Sequence, residues 1–238
     1  PVLVTSYVNP DLDGDAGIIA YGEFLQKTGQ NIVVGIIGEP QDEAKYMLDR
    51  FGFKYPNMIP NADDFDEVIL IDASDLNDLE GTIAAEKVIE IIDHRTVSEV
   101  DAFPNAKAHI ELVGAAATLV AEKFMHNAID ISKESAALLY GGIISNTLNL
   151  KGSVATDRDK KAAIWLNQVA KLPENFWMEL FMAKSDLAGK KLAERIESDF
   201  AWFALGGKKV GIAEIEMIGA KKLLDERGNE IVQALEKI

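Results

Sequence analysis

The sequence predicts an α/β fold: a mostly parallel β-sheet flanked by helices, followed by a small α+β C-terminal domain. Short apolar runs bounded by polar residues recur in the first half of the chain, which is typical of buried parallel strands. Helical patterns separate most of these runs, and such alternation predicts βα units. After about residue 184 the pattern changes to a helix, an aromatic stretch, a glycine-containing turn and a strand.

The predicted elements follow in order along the chain. The predicted strands are residues 2–6, 31–37, 67–71, 87–92 and 108–112, with a short extended piece at 57–60. The predicted helices of the first part are residues 17–28, 41–51, 76–85, 114–128, 133–146, 157–169 and 177–183. In the last part we predict helices at 191–200 and 221–237, a turn at 206–209 and a strand at 210–217. We therefore expect a first domain at residues 1–184, a linker at 185–190 and a partial C-terminal domain at 191–238.

Composition and charge exclude several classes of protein. The 238 residues carry a formal net charge of −15, which disfavours nonspecific binding to nucleic acid or to anionic membranes. Cysteine is absent, so disulfides and thiolate metal sites are excluded. No apolar run approaches the roughly 20 residues that span a bilayer, and no signal-peptide pattern is visible. We expect a cytoplasmic protein with no membrane partner.

Polar side chains follow several predicted strands at their carboxyl ends. The candidates are Tyr7, Asp11 and Asp13 after the first strand, Asp72 after the third, His94 and Arg95 after the fourth, and Asn146 at the end of a helix. Because the carboxyl ends of parallel strands lie at the same edge of a sheet, we expect these loops to meet. The three aspartates and the histidine offer the oxygen and imidazole ligands that suit Mn²⁺ or Mg²⁺.

Local structure offers a simpler explanation for some of these residues. An aspartate after a strand most often caps a helix or forms an Asx turn, and we prefer this interpretation for Asp15 and Asp75. For Asp11 and Asp13 taken alone, the cap and the ligand interpretations are equally supported. The other two histidines, His109 and His126, are interpreted as structural.

Five stretches carry a resemblance to a known family. They are NPDLD at 9–13, ILID at 69–72, DHR at 93–95, VGAAAT at 113–118 and GIISNTLN at 142–149. Together they resemble the DHH phosphoesterase superfamily, and are most similar to the family II, manganese-dependent inorganic pyrophosphatases. Residues 183–187 and 207–216 are similar to the start of the C-terminal DHH-associated domain, and we expect this domain to be partial and without the family's late Arg-Lys cluster.

The resemblance implies hydrolysis of pyrophosphate or short polyphosphate with the help of two Mn²⁺ or Mg²⁺ ions roughly 3.5–4 Å apart. It implies that Asp72 bridges the ions and is catalytic. One ion would also be held by Asp13, His94 and the residue at 146, and the other by Asp11 and the residue at 7. Family members often dimerise through the first domain, so a homodimer is expected.

Three positions depart from the family pattern. Tyr7 and Asn146 stand where the family has a metal-binding histidine and aspartate, and Arg95 stands at the second histidine of the Asp-His-His motif. A protonated phenol is a poor ligand, and an amide oxygen brings no charge. Arg95 cannot ligate a metal but can clamp a phosphate, so we expect Arg95 to be a catalytic residue beside Asp72. We therefore expect one bound ion rather than two, and reduced activity.

The substrate is expected to be a small phosphate-containing molecule, with no role for a nucleic acid duplex. Arg95, Lys184 and Lys208 are the predicted substrate-binding residues, although for Lys208 taken alone a solvated turn is the favoured interpretation. Two other functions stay open: a phosphodiesterase of the same superfamily acting on oligonucleotides or a dinucleotide, and a non-catalytic pseudo-phosphoesterase that binds phosphate compounds.

Overall fold

The structure, a computed structural model, describes residues 1–95, 98–187, 191–198 and 200–238. It divides into two compact units, Pro1–Leu180 and Phe181–Ile238. The domain boundaries proposed from the sequence stay a prediction, and residues 188–190 of the predicted linker lie outside the described residues.

The bounds of the regular elements are as follows. The strands are β1 (Val2–Thr5), β2 (Ile32–Ile37), β3 (Asn57–Ile59), β4 (Val68–Ile71), β5 (Val88–Asp93), β6 (Lys107–Ile110), β7 (Phe200–Leu205) and β8 (Lys208–Ala213). The helices are α1 (Leu12–Lys27), α2 (Asp42–Phe51), α3 (Ala116–Asn127), α4 (Lys133–Asn146), α5 (Asp157–Ala170), α6 (Phe176–Lys184), α7 (Lys191–Ser198) and α8 (Ala220–Leu235).

The first unit contains a six-stranded sheet in the order β3-β2-β1-β4-β5-β6. Every neighbouring pair is parallel; for example, Val4 of β1 pairs with Val34 of β2 on one side and with Ile69 of β4 on the other. Helices α1, α3, α4 and α5 pack against one another. The α/β fold with a mostly parallel sheet is confirmed.

A buried cluster covers part of the sheet with irregular segments instead of long helices. Side chains of β1, β4 and β5 pack there with Leu79, Ile83 and Phe103. Leu79 and Ile83 therefore pack in the core, but the helix predicted for residues 76–85 is wrong. The segment holds a 3₁₀ turn at Asn77–Leu79, which ends where Glu80 and Gly81 both adopt positive φ, of 47° and 73°. Two successive left-handed residues cannot continue a right-handed helix.

Helix α1 begins five residues earlier than predicted, at Leu12 rather than at residue 17. Asp11 is its N-cap, because the Asp11 Oδ1 atom accepts a hydrogen bond from Gly14 N at 3.1 Å. Asp13 and Asp15 consequently lie inside the first turn of the helix, where the sequence analysis expected a loop.

The second unit is built from local contacts. Strands β7 and β8 form an antiparallel hairpin, and Gly206 and Gly207 at its tip have φ of 57° and 77°, as a two-residue type I′ turn requires. A small buried cluster joins Leu187, Leu192 and Ile196 to Ala234 of α8. No helix among the described residues is both long and apolar enough to cross a bilayer.

Candidate metal centre

The carboxyl ends of β1 and β4 lie side by side where the strand order reverses. From β1 the sheet grows outward through β2 and β3, and from β4 it grows the other way through β5 and β6. Doubly wound sheets bind ligands in the crevice at such a point. Asp13 follows β1, Asp72 follows β4 and His94 follows β5, so three segments distant in sequence meet there.

Asp13 is fully buried, and both oxygens of its carboxylate accept backbone hydrogen bonds. Ala116 N donates to Oδ2 at 2.7 Å, and Ala117 N donates to Oδ1 at 2.8 Å. Asn146 Nδ2 donates a further bond to Oδ2 at 2.9 Å. The N–H groups at the start of α3 therefore hold the plane of this carboxylate.

Asp72 adopts a left-handed backbone conformation directly after β4, with a φ of 60°. Aspartate tolerates this region better than most residues, and functional sites often contain such strained positions. Its N–H donates to the carbonyl of Ile92 at 2.8 Å, and its own carbonyl accepts a hydrogen bond from Arg95 Nη2 at 2.8 Å. The backbone is thus held on both sides, with Asp72 Oδ1 3.4 Å from His94 Nε2.

His94 presents its Nε2 atom to the two carboxylates. Its Nδ1 atom lies 3.0 Å from the carbonyl oxygen of Val113, and because a carbonyl can only accept, Nδ1 carries the hydrogen. In the neutral ring, Nε2 then has a lone pair, 3.4 Å from Asp72 and 3.6 Å from Asp13. The buried Asp93 accepts a hydrogen bond from His94 N at 2.7 Å, which fixes the turn after β5.

The donor set formed by Asp13, Asp72 and His94 fits a divalent cation. One ligand atom from each residue lies within 4.8 Å of the others. Among the described residues, these three form the cluster of acidic and histidine side chains that could hold a metal ion. Carboxylate oxygens suit hard cations and an imidazole nitrogen suits transition metals, a combination that favours Mn²⁺. A second partner on the far nitrogen of the histidine, here the carbonyl of Val113, is typical of metal-binding imidazoles.

The pKa of each of the three groups is raised, by burial for the two aspartates and by the neighbouring carboxylates for the histidine. Burial raises the pKa of Asp13 well above its usual range, and the negative charge of Asp72 adds to this. Burial likewise raises the pKa of Asp72, although the hydrogen bond with His94 opposes it. Burial lowers the pKa of His94, but the bond to Asp72 and the two carboxylate charges outweigh that and raise it. The cluster therefore binds protons that a metal ion would displace.

Tyr7 and Asp11 lie next to this cluster but outside the three-residue group. The hydroxyl oxygen of Tyr7 accepts a hydrogen bond from Asp11 N at 2.9 Å. Burial, and then the charges of Asp11 and Asp72, raise the pKa of Tyr7 well above its usual value, so the phenol stays protonated. Asp11 is committed to capping α1 through one oxygen. Their predicted roles as ligands of a second ion stay predictions.

Arg95 is surrounded by acceptors. It forms an ion pair with Asp78, its Nε lies 3.4 Å from Asp93 Oδ2, and its Nη2 donates to the carbonyl of Asp72. Its guanidinium carbon lies 5.7 Å from the centre of the Tyr7 ring. These contacts fix a positive charge beside Asp72. A guanidinium carries five N–H groups, more than these three acceptors require, so phosphate binding by Arg95 stays a prediction.

The other predicted site residues fall in two places. Asn146 touches Asp13 through its amide nitrogen, which cannot ligate a cation, so its predicted weak ligand role would need the amide oxygen to face the site. Lys184 and Lys208 lie in the second unit: Lys184 Nζ is 2.7 Å from Glu216 Oε2, and Lys208 is exposed at the hairpin turn. Their substrate-binding roles stay predictions.

The local interpretations of the remaining polar residues can also be compared with the structure. Asp75 forms the expected Asx turn, because its Oδ1 accepts a hydrogen bond from Asn77 N at 2.8 Å. Asp15 lies inside the first turn of α1 and does not cap the helix, because Asp11 is the N-cap. Its buried carboxylate oxygens have no hydrogen-bond partner among the described residues, and burial raises its pKa well above its usual range. His109 lies 2.6 Å from Glu111, away from the cluster.

Sequence reasoning missed the groups that orient the ligands. Val113, Ala116 and Ala117 act through backbone atoms, so the chemistry of their side chains does not indicate these roles. Asp93 was visible as the first residue of the DHR motif, but its hydrogen bonds to Ser74 Oγ and to the N–H of His94 depend on the tertiary structure. The VGAAAT stretch at 113–118 was the one signal that could have indicated them.

Two protein-family models match this chain. The model of the DHH family N-terminal domain matches residues 1–143, and that of the DHHA2 domain matches residues 178–238. The chain belongs to the DHH family. This DHH chain is 31% identical over 238 residues to the manganese-dependent inorganic pyrophosphatase of Methanothrix thermoacetophila, a match that covers 99% of the chain and 76% of that protein.

Solved structures of two other proteins share the fold of this DHH chain. A crystal structure from Methanococcus jannaschii, described as a candidate family II inorganic pyrophosphatase, matches with a TM-score of 0.78 and 31% identity and covers 100% of this chain and 79% of that one. An exopolyphosphatase-related protein from Bacteroides fragilis matches with a TM-score of 0.60 and 17% identity over 85% of this chain and 62% of that one, which shows the shared fold alone.

Proposed function

We propose that this DHH chain is a metal-dependent phosphoanhydride hydrolase that converts pyrophosphate or short polyphosphate to phosphate. The observation that carries the proposal is the convergence of Asp13, Asp72 and His94 at the reversal point of the sheet, with ligand atoms within 4.8 Å. The names of its relatives support the same substrate class. Mn²⁺ is the proposed cofactor, and Mg²⁺ is the alternative.

The proposed ligands are two carboxylates and the Nε2 atom of His94. A bound Mn²⁺ supplies Lewis acidity toward a phosphoryl oxygen and lowers the pKa of a bound water. The protein contributes orientation: the start of α3 holds Asp13, and the Val113 carbonyl holds the His94 ring. Arg95, fixed by Asp78, would donate hydrogen bonds to a phosphate oxygen beside Asp72.

The site is proposed to hold one ion rather than two. The hydroxyl of Tyr7 stays protonated, and the guanidinium of Arg95 already places a positive charge beside Asp72. A second cation would be repelled by that charge and would find a poor ligand in the phenol. Turnover is accordingly proposed to be weaker than that of relatives with a histidine at the position of Tyr7.

A non-catalytic phosphate-binding role is the second candidate. It is favoured by the engagement of Arg95 with Asp78, Asp93 and the carbonyl of Asp72, which limits how freely it can follow a reacting phosphoryl group. A homodimer and a cytoplasmic location stay predictions.

Mn²⁺ titration calorimetry and a phosphate-release assay on the same preparation test the proposal. We expect one tight Mn²⁺ site and measurable phosphate release from pyrophosphate or tripolyphosphate below the ordinary turnover range of about 1–1000 s⁻¹. Binding of Mn²⁺ and pyrophosphate without any phosphate release would support the non-catalytic role. Two equivalent tight sites with turnover inside that range would contradict the one-ion proposal. Cleavage of a dinucleotide to mononucleotides, with no phosphate release from pyrophosphate or tripolyphosphate, would contradict the substrate.

A further inference from the structure

A single backbone segment, residues 113–118, orients two of the three candidate metal ligands. The carbonyl of Val113 accepts from His94 Nδ1 at 3.0 Å. The N–H groups of Ala116 and Ala117 donate to the two oxygens of Asp13 at 2.7 and 2.8 Å. A displacement of this segment would therefore turn the imidazole and the carboxylate together.

One buried carboxylate outside the metal cluster holds this segment. Gly114 N donates to both oxygens of Asp159, at 3.0 and 2.9 Å, and Thr118 Oγ1 donates to Asp159 Oδ1 at 2.6 Å. These two anchor points lie on either side of Ala116 and Ala117. The segment is thus fixed before and after the two N–H groups that bind Asp13.

Asp159 is itself fixed by the start of α5. Together with Thr156 it forms a capping box, in which Thr156 N and Thr156 Oγ1 donate to Asp159 Oδ2 at 2.7 and 2.6 Å. The side chain of Asp159 is fully buried. One carboxylate therefore ties the first turn of α5 to the first turn of α3, and the hydrogen bonds on both sides come from neutral donors.

Glycine at position 114 permits this close approach. A Cβ atom there would lie 2.4 Å from Thr147 Cγ2 and 3.0 Å from Asp159 Oδ2. Any side chain would push the segment away from Asp159 or from the end of α4. Within the VGAAAT stretch, Gly114 therefore permits the close approach to Asp159, and Thr118 donates a hydrogen bond to it.

We propose that Asp159 is a positioning residue of the metal site, which sets the directions of Asp13 and His94 through segment 113–118 and thereby sets the affinity for the ion. This inference rests on the proposed function only for the identity of the ion. Asp159 touches no candidate ligand itself. Its effect must therefore depend on the hydrogen bonds on the α3 side rather than on those on the α5 side.

Two matched substitutions separate the hydrogen bonds that join Asp159 to α3 from those that join it to α5. Thr118→Val removes the hydroxyl that anchors the segment, and Thr156→Val removes the hydroxyl that caps α5; both hydroxyls donate to Asp159 at 2.6 Å. Thr118→Ser keeps the hydroxyl and serves as the rescue variant. Asp159→Asn replaces one acceptor oxygen with an amide and so disturbs both sides.

Mn²⁺ affinity is measured by the loss of the free-ion paramagnetic resonance signal. Because groups that support metal ligands typically change affinity by about 10–100-fold, we expect Thr118→Val to weaken Mn²⁺ binding by about tenfold and Asp159→Asn by up to about a hundredfold. Thr118→Ser should bind like the native protein. Thr156→Val should melt at a lower temperature with native Mn²⁺ affinity.

Amide hydrogen exchange in the metal-free protein gives a second readout that needs neither activity nor bound ion. Thr118→Val should speed exchange at Ala116 and Ala117, and Thr156→Val should not. Native affinity and native exchange in Thr118→Val would overturn the inference, as would equal losses in both valine variants. Mn²⁺ binding without phosphate release in the native protein would instead refute only the proposed activity. Absence of Mn²⁺ binding in the native protein would overturn the proposed metal site and this inference together.

Discussion

The carboxyl ends of the strands in the first unit bury charged side chains, whereas the hairpin of the second unit exposes a lysine and large aromatic side chains to solvent. At these strand ends, Asp13 and Asp72 are 0% and 4% exposed. Their carboxylates contact groups from distant parts of the chain, such as Ala116 N and His94 Nε2. In the hairpin, Trp202 and Phe203 are 49% and 46% exposed, and Lys208 lies at an open turn. Burial raises the pKa of Asp13 and of Asp72, so a bound cation would favour their charged forms, whereas Lys208 keeps its contact with water.

The difference indicates which part of this chain can form a metal site. A parallel sheet brings loops that are dozens of residues apart to one edge, so a few side chains become a ligand set. A hairpin joins only sequence neighbours, as the pairing of Leu205 with Lys208 illustrates. Substitutions in the two regions should therefore differ in kind as well as in size.

Substitution of a buried ligand should have the largest effect. Asp72→Asn keeps a residue that tolerates positive φ but removes the charge. We expect Mn²⁺ affinity to fall by more than about 100-fold, since changes in supporting groups alone already cost about 10–100-fold. Titration calorimetry measures this. Asp225→Asn, in the exposed pair with Lys221 of the second unit, is the control and should bind Mn²⁺ like the native protein; an equal loss there would indicate nonspecific binding.

Substitution of one glycine in each unit by alanine should change the free energy of unfolding in opposite directions. Gly114→Ala places a methyl group 2.4 Å from Thr147 Cγ2 and should lower the free energy of unfolding by about 1–3 kcal/mol. Gly228→Ala, in α8 with open space around the Cβ position, should raise it by about 0.5–1 kcal/mol. Chemical denaturation followed by circular dichroism measures both. A destabilising Gly228→Ala together with a neutral Gly114→Ala would reverse the expectation.

Mn²⁺ binding should strengthen as pH rises. The raised pKa values of Asp13, Asp72 and His94 mean that the metal-free cluster holds protons, which must leave when the ion binds. Affinity should therefore rise by about tenfold per pH unit for each proton released, because one pKa unit corresponds to about 1.4 kcal/mol.

Calorimetry at about pH 6 and about pH 8 tests this dependence, because that range lies between the raised pKa of Asp72, about 6, and the raised pKa of His94, about 10. Repeating each titration in buffers of different ionisation heat counts the released protons. Equal affinity at both pH values, with no proton release, would show that the cluster is already deprotonated.

The smallest effect is expected at the hairpin turn. Lys208→Ala should raise KM for pyrophosphate by no more than about fivefold, because an exposed charge contributes at most about 1 kcal/mol, and Mn²⁺ affinity should not change. Lys222→Ala, another exposed lysine of the second unit, is the matched control and should leave KM unchanged. If both variants raise KM equally, the effect reflects overall charge and not a role of Lys208.

The candidate site was predictable to the extent that it depends on strand order and strand ends. Asp72 and His94 follow apolar strands directly, so their convergence could be predicted from the parallel sheet. The position of Asp13 inside a helix could not, because the capping role of Asp11 was only one of two equally supported interpretations. The failure at residues 76–85 has a local cause: the positive φ angles of Glu80 and Gly81 override a helical pattern.

By itself, the sequence determined the parallel α/β fold, the family and the identity of the candidate ligands, because hydrophobic periodicity and motif spacing are properties of the chain. Only the tertiary structure decided how these ligands are held. The N–H groups of Ala116 and Ala117, the carbonyl of Val113 and the clamp at Asp159 act through backbone atoms and buried hydrogen bonds between distant segments. Their directions depend on how the helices pack, and no local pattern in the sequence encodes that.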